Sequence, residues 1–257
     1  DRQLDNNFKN NYTIMQKPSF SFSYLGFNLK SEKFKDIRIR EALSLAINRQ
    51  ELVDILFFGY GKVCNGPFLP GSFAYNEEIK TINQDIEKAK ELLKEAGYDE
   101  NNPFSFEVVT NTGNDIRINA ALILQYQLQK AGIKMNIRVM EWQAFLNTVV
   151  HPRKFEAILL GWSMALMPDA YPIWHSTSSK LGGFNFVSYE NPKVDNLIEK
   201  GNNTVNRDEL GKIYKDIFKI ITDDLPYLFL YIPDSISAVN KNIKNIEPSF
   251  IGIMHNQ

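Results

Sequence analysis

The chain has 257 residues, 29 Lys and Arg against 30 Asp and Glu, and 44% hydrophobic residues. That apolar share supports a sizeable core and excludes disorder as the main state, while the near-zero net charge argues against a nucleic-acid binder. A single cysteine, Cys64, excludes an internal disulfide framework and a Cys-based zinc site, and no apolar run approaches the roughly 20 residues of a membrane helix.

Residues 1–17 are polar, with Asn6, Asn7, Asn10 and Asn11 close together, and read as a ragged lead-in. Ser19 to Asn28 alternates aromatic and small residues, as a half-buried strand does. Ile39, Leu43, Ala46 and Ile47 fall at helical spacing behind the N-cap candidate Asp36, and a second helix runs from Arg49 to Phe58 and stops at Gly59. Residues 59–84 hold several Gly and Pro without a sustained period and read as a long irregular segment. Asp85 caps a helix that Gly97 ends.

Phe104–Thr110 reads as a strand, Asp115–Ala131 as a helix and Ile133–Met140 as a strand, so the two strands are expected to lie parallel with a right-handed crossover. A helix over 142–150 and a strand over 155–161 follow. The fold class is therefore α/β, a mixed sheet with flanking helices. Trp162 to Gly183 is a second irregular stretch, rich in Trp, Met, Pro and Ser. It starts where a strand ends, and ligands of open α/β sheets gather outside the carboxyl ends of strands. Helices near 191–201 and 207–223 precede two late strands, Leu228–Ile232 and Ser237–Asn240, and an irregular tail after Lys241.

Nothing in the chain asks for catalysis. There is no G-x-S-x-G, H-E-x-x-H, Walker loop or dinucleotide fingerprint. Ser163 follows a Trp at a strand end, but no neighbouring His or Asp is implied as its base. His151, His175 and His255 are widely spaced, so no metal site and no cofactor is expected. Trp162, Met164, Met167, Tyr171 and Trp174 remain. They form either a loop folded over the core or a soft apolar wall for a ligand, because Met repacks and Trp or Tyr offers a face with a polar tip.

Gly161-Trp162-Ser163-Met164, Pro168-Asp169-Ala170-Tyr171 and Ile173-Trp174-His175-Ser176 resemble the extracytoplasmic peptide-binding proteins of ABC importers. So do Gly182 to Tyr189, the "F-x-D-x-R-x-R-x-A"-like start at Phe34 to Leu43, the helix Asp85 to Tyr98, and Asp224-Leu225-Pro226-Tyr227-Leu228-Phe229-Leu230-Tyr231. The blocks stand in the family's order over about residues 20–246, with wording closest to binders of long peptides. The resemblance implies one lobe of a two-lobe, type II periplasmic-binding-protein-like fold that closes on its ligand. It implies residues 1–18 as a lead-in from an absent first lobe, 19–240 as the ligand-binding lobe, and 241–257 as a tail returning toward the first. It further implies a non-enzymatic, monomeric binder outside the membrane, lipid-anchored through the missing N-terminus. That binder would take up an oligopeptide and deliver it to permease and ATPase subunits.

Two departures matter. Relatives hold a peptide's amino terminus with an Asp three residues after the loop Trp, where this chain has Ala165, and some use an Arg three residues before it, where this chain has Leu159. The family's "D-P-D" reads Met167-Pro168-Asp169, so Asp169 is a ligand contact or, preferably, a loop cap. The expected ligand contacts are Trp162, Ser163, Met164, Ala165, Asp169 and Tyr171, with Asn111 beside the same edge. Loss of the Asp anchor keeps a non-peptide solute (a metal chelate, heme or sugar) or a sensor without uptake as alternatives.

Overall fold

The computed structural model describes residues 6–165 and 167–244. Seven strands form a mixed sheet: β1 (Tyr12–Pro18), β2 (Ser21–Phe27), β3 (Gly61–Val63), β4 (Ser105–Asn111), β5 (Lys134–Met140), β6 (Ala157–Ser163) and β7 (Tyr227–Asn240). Their order is β1-β7-β2-β6-β4-β5, with β3 also paired to β7. β4 lies parallel to β5 and to β6, as the expected β-helix-β unit requires, whereas β2 runs antiparallel to both β6 and β7.

The sheet separates two apolar layers. On one face, Leu25, Leu159 and Leu228 pack with Leu43, Leu52 and Leu124 from helices Ile37–Ala46, Arg49–Phe57 and Asp115–Lys130. On the other, Phe22, Tyr24 and Leu160 pack with Trp174, Phe186, Ile198 and Phe218. Alternation along β2 and β6 sends neighbouring residues to opposite layers, and so the central strands are buried on both sides.

Asparagine begins several helices. Asn48, Asn114, Asn191 and Asn206 each accept a backbone N–H from the first turn of the helix that follows, and Asp36 and Asp85 do the same at the ends where the sequence places them.

Three sequence expectations change. The polar lead-in is not ragged where described: Asn6–Asn11 is a helical turn, and Tyr12–Pro18 is a strand that pairs residue for residue with Asn240 back to Asp234. The two late strands are one, because β7 runs unbroken through Pro233 and trades β2 for β1 as its partner along the way. The strand expected to end at Gly161 continues to Ser163, so Trp162 and Ser163 belong to the sheet and not to a loop. The irregular stretch after them holds a short helix, Tyr171–Trp174, and a 3-10 turn, Ser176–Ser179. Most of the tail, residues 245–257, lies outside the described residues.

Candidate functional site

β4, β5, β6 and β7 point their carboxyl ends the same way, and β2 starts at that same edge, with Ser21 opposite Ser163. The edge therefore collects the ends of β4 at Asn111, β5 at Met140 and β6 at Ser163. The β1–β7 ribbon continues past it, since β7 pairs with β2 up to Tyr231 and with β1 from Asp234 onward.

Six of the seven candidate residues cluster around the end of β6. Trp162 is half-buried: its indole stacks on Phe186 at 5.5 Å and on Tyr24 at 6.3 Å, meets Phe184 edge-on, and donates from Nε1 to the Tyr227 hydroxyl at 3.4 Å. Ser163 is exposed at the strand end. Met164 ties the next residue back to the sheet, its N–H donating to the Phe20 carbonyl at 2.6 Å. Met164 and Ala165 line an apolar cavity of about 100 Å³ together with Phe20, Phe68, Pro70 and Ile232. Asp169 Oδ1 accepts the Tyr171 N–H at 3.0 Å, a local turn bond ahead of the Tyr171–Trp174 helix, whose N-cap is Ala170. Tyr171 stacks on His175 at 4.2 Å and hydrogen-bonds Thr177 Oγ1 at 3.1 Å.

Asn111, the seventh, is buried at the end of β4, donates to the Thr112 carbonyl and accepts from Arg117 Nη1 at 2.5 Å. Arg117 is a residue the sequence reading passed over. Gly113, at φ 79°, turns the chain from β4 into helix Asp115–Lys130; Asn114 caps the first turn by accepting the Arg117 N–H; the guanidinium then reaches back over the sheet edge. Its Nη2 stands 3.5 Å from where a side chain on Gly161 would begin. A strand end followed by Gly-Asn and an Arg in the first turn was the available signal.

The same edge carries exposed apolar side chains from several elements: Val139 near the end of β5 and Trp142 after it, Met167, Tyr171 and Phe184 after β6, and Ile116 beside Arg117. The loop is thus partly core and partly open surface, for Trp174 is buried while Met167, Tyr171 and Phe184 are exposed. A larger concavity of about 340 Å³ lies around Arg49 and Cys64, at the beginning of β7. Among the described residues no group of His, Cys, Asp and Glu is placed to hold a metal ion, and His151 and His175 do not converge; His255 lies outside them.

A family model described as "Bacterial extracellular solute-binding proteins, family 5 Middle" matches residues 2–184. The oligopeptide-binding protein AppA of Bacillus subtilis is 35% identical over 248 residues, which cover 91% of this chain and 46% of that protein. The nickel-binding protein NikA of Staphylococcus aureus is 29% identical, over 98% of this chain and 50% of that one. Among solved structures, AppA from B. subtilis in complex with a nonapeptide superposes with a TM-score of 0.84 at 33% identity, covering 96% of this chain and 51% of that chain. NikZ from Campylobacter jejuni in complex with Ni(L-His) gives 0.80 at 31%, covering 94% and 51%. The chain spans about half the length of the curated relatives it matches.

Proposed function

Because the chain belongs to the bacterial extracellular solute-binding proteins of family 5, we propose that it is one lobe of a two-lobe binder and forms one wall of the ligand cleft. The cleft wall is the carboxyl edge of the sheet, and the β1–β7 ribbon is the connection to the other lobe. In this reading residues 1–18 and 241–257 lead from and to that lobe, and 19–240 carry the binding surface. The ligand is an oligopeptide, which the full-length protein delivers to the permease and ATPase of an ABC importer outside the cytoplasmic membrane.

The observation that carries this reading is the coincidence of three features at one edge. Strand ends, an open aromatic and apolar rim, and the ribbon that leaves the lobe all lie there. A peptide held extended draws affinity from main-chain pairing and from pockets for alternate side chains. Ser163 and the apolar cavity beside Ala165 supply one of each. Ligand would favour the closed arrangement through contacts made only when both walls meet it.

A second reading, a metal chelate or another small solute, is favoured by Ala165. An exposed alanine offers no charge to a peptide's amino terminus, where a carboxylate would form a charge-assisted hydrogen bond. Native mass spectrometry of the full-length protein as purified separates the two. A released series of masses that fragments as peptides supports the first reading; a single non-peptide mass replaces it with the second.

A further inference from the structure

Arg153 occupies a backbone position that suits glycine. It lies in the turn between Val150 and Phe155 that leads into β6, and its φ is 57°. Left-handed backbone is strained for a residue with a long side chain. The turn is fixed there all the same. The Arg153 N–H donates to the Val150 carbonyl at 3.1 Å, and the Arg153 carbonyl accepts from Asn28 Nδ2 at 3.2 Å. An arginine kept on strained backbone directs attention to what its side chain holds.

The guanidinium holds a different segment. Nη2 donates to the Lys180 carbonyl at 2.8 Å and to the Gly183 carbonyl at 3.4 Å, and Nε donates to the Asn185 carbonyl at 3.4 Å. Only Nη1 returns to its own turn, at the His151 carbonyl. Two of these acceptors stand directly before Phe184 and Phe186, so one fork fixes the peptide group that enters each residue. The Phe186 N–H donates to the Phe184 carbonyl at 2.8 Å, which bends the pair tightly. Their rings meet edge to face at 6.1 Å, and both touch the Trp162 indole, Phe186 by stacking and Phe184 edge-on. Gly183 fits only without a side chain, because a Cβ there would start 2.1 Å from the Ser178 carbonyl oxygen. No helix or strand orders this segment between Ser179 and Pro192. Side chains do so instead: Arg153 from one side, and buried Asn185, which donates to the His175 and Tyr189 carbonyls.

We infer that Arg153 is a positioning residue for ligand binding: it holds the Phe184–Phe186 turn against Trp162 before a solute arrives. The inference rests on the cleft proposed above and adds to it a residue that acts through the aromatic rings and not on the ligand. Rings that must be ordered during binding weaken association, whereas a wall already ordered escapes that loss. The planar guanidinium can serve several carbonyls in fixed directions, which the point charge of a lysine does not reproduce.

The test uses the full-length protein labelled with fluorotryptophan, the Trp162 fluorine line being identified by its loss in Trp162→Phe. Arg153→Gly removes the fork but relaxes the left-handed backbone, so its melting temperature should stay near that of the wild type. Its Trp162 line should nonetheless shift or broaden. Millimolar propylguanidinium, which refills the fork, should restore the line, and propylammonium should not. Arg153→Lys, which keeps the charge and the backbone, should resemble Arg153→Gly in the fluorine spectrum. Calorimetry with two probes, a pool of randomised nonapeptides and nickel with L-histidine, should show affinity reduced by about tenfold in Arg153→Gly and recovered with propylguanidinium. A Trp162 line unchanged in both variants overturns the inference, and so does an affinity that holds while the line moves. A line that moves and is rescued, in a protein whose wild type binds neither probe, would sink the proposed solutes and leave the clamp on the aromatic wall standing.

Discussion

The indole of Trp162 lies face to face with the ring of Phe186, 5.5 Å away and tilted by 13°. The pair joins the last turn of the sheet to the loop after the Tyr171–Trp174 helix, and it is continuous through Tyr24 with the stacked rings of Tyr24 and Tyr227, 3.8 Å apart. Half-buried, Trp162 packs into the core on one side and faces the proposed cleft on the other.

Trp162→Ala should therefore cost stability and binding together. Removal of a half-buried indole and its stack is worth about 2 kcal/mol in urea unfolding, and ligand affinity should fall by tenfold or more. Trp162→Phe should recover most of the stability. A protein in which Trp162→Ala binds its ligand with unchanged affinity would place the indole in the core alone.

Asp169 should behave as a loop cap. Its carboxylate oxygen is used by the Tyr171 N–H in a turn just ahead of the helix, so Asp169→Ala should lose about 1 kcal/mol, the worth of one local side-chain hydrogen bond, with no change in ligand affinity. Asp169→Asn, which keeps the acceptor, should match wild type in both. A loss of affinity in the Asn variant would make the charge itself a ligand contact.

Restoring the family's anchor should reveal the orientation of a bound peptide. Ala165 is exposed at the mouth of the small cavity, where a carboxylate costs little. Ala165→Asp should raise affinity for peptides with a free amino terminus by about tenfold, the worth of one charge-assisted hydrogen bond, and should leave amino-acetylated peptides unaffected. Equal effects on both would show that the amino terminus does not lie there.

Stability should fall in alkali. Burial lifts the Cys64 thiol from 9.0 to about 12 and the Tyr227 hydroxyl from 10.0 to about 12. Each group keeps its proton in the folded state and loses it on unfolding. Its contribution is complete below the unfolded value and is lost as pH rises toward about 12. Cys64 is the first of the buried groups to lose its proton on unfolding, with a limiting slope of about 1.4 kcal/mol per pH unit, and the buried tyrosines, Tyr24, Tyr189, Tyr227 and Tyr231 among them, add to it as pH approaches 10. Arg49, held down to about 10 by burial, works in the opposite sense above that pH. Cys64→Ala should flatten the pH 9–10 segment of the urea midpoint curve. An unchanged slope would mean that the thiol is not what titrates.

Where a signal was local, the chain disclosed its fold. β4, β5 and the helix between them follow from runs and caps confined to residues 104–140, and the pairing of Ser105–Asn111 with Lys134–Met140 is the result. β1 could not be read in this way. It is polar and half-exposed, and what makes it a strand is Asp234–Asn240, more than 200 residues later. β7 looks like two strands in the sequence because Pro233 and polar residues interrupt its apolar start, yet β1 and β3 supply partners there. Trp162 and Met164 were legible as cleft candidates from their types. Arg117 was not, because the Gly-Asn turn and first-turn position before it say where the side chain starts but not that it reaches back to Asn111 over the sheet edge.

The ribbon has a mechanical meaning. Tyr12 faces Asn240, and the Lys241 N–H reaches the Asn11 carbonyl, so β1 and the second half of β7 run together as a ribbon of seven residue pairs, the stem of the two-lobe arrangement proposed above. At about 3.4 Å per residue the stem is roughly 23 Å long. Bending across its flat faces disturbs few hydrogen bonds, whereas sliding one strand along the other by a residue would turn every side chain to the wrong side. Such a stem is a leaf spring. In the proposed two-lobe protein it would permit swing in one plane, resist shear, and return the lobe it carries to the same register.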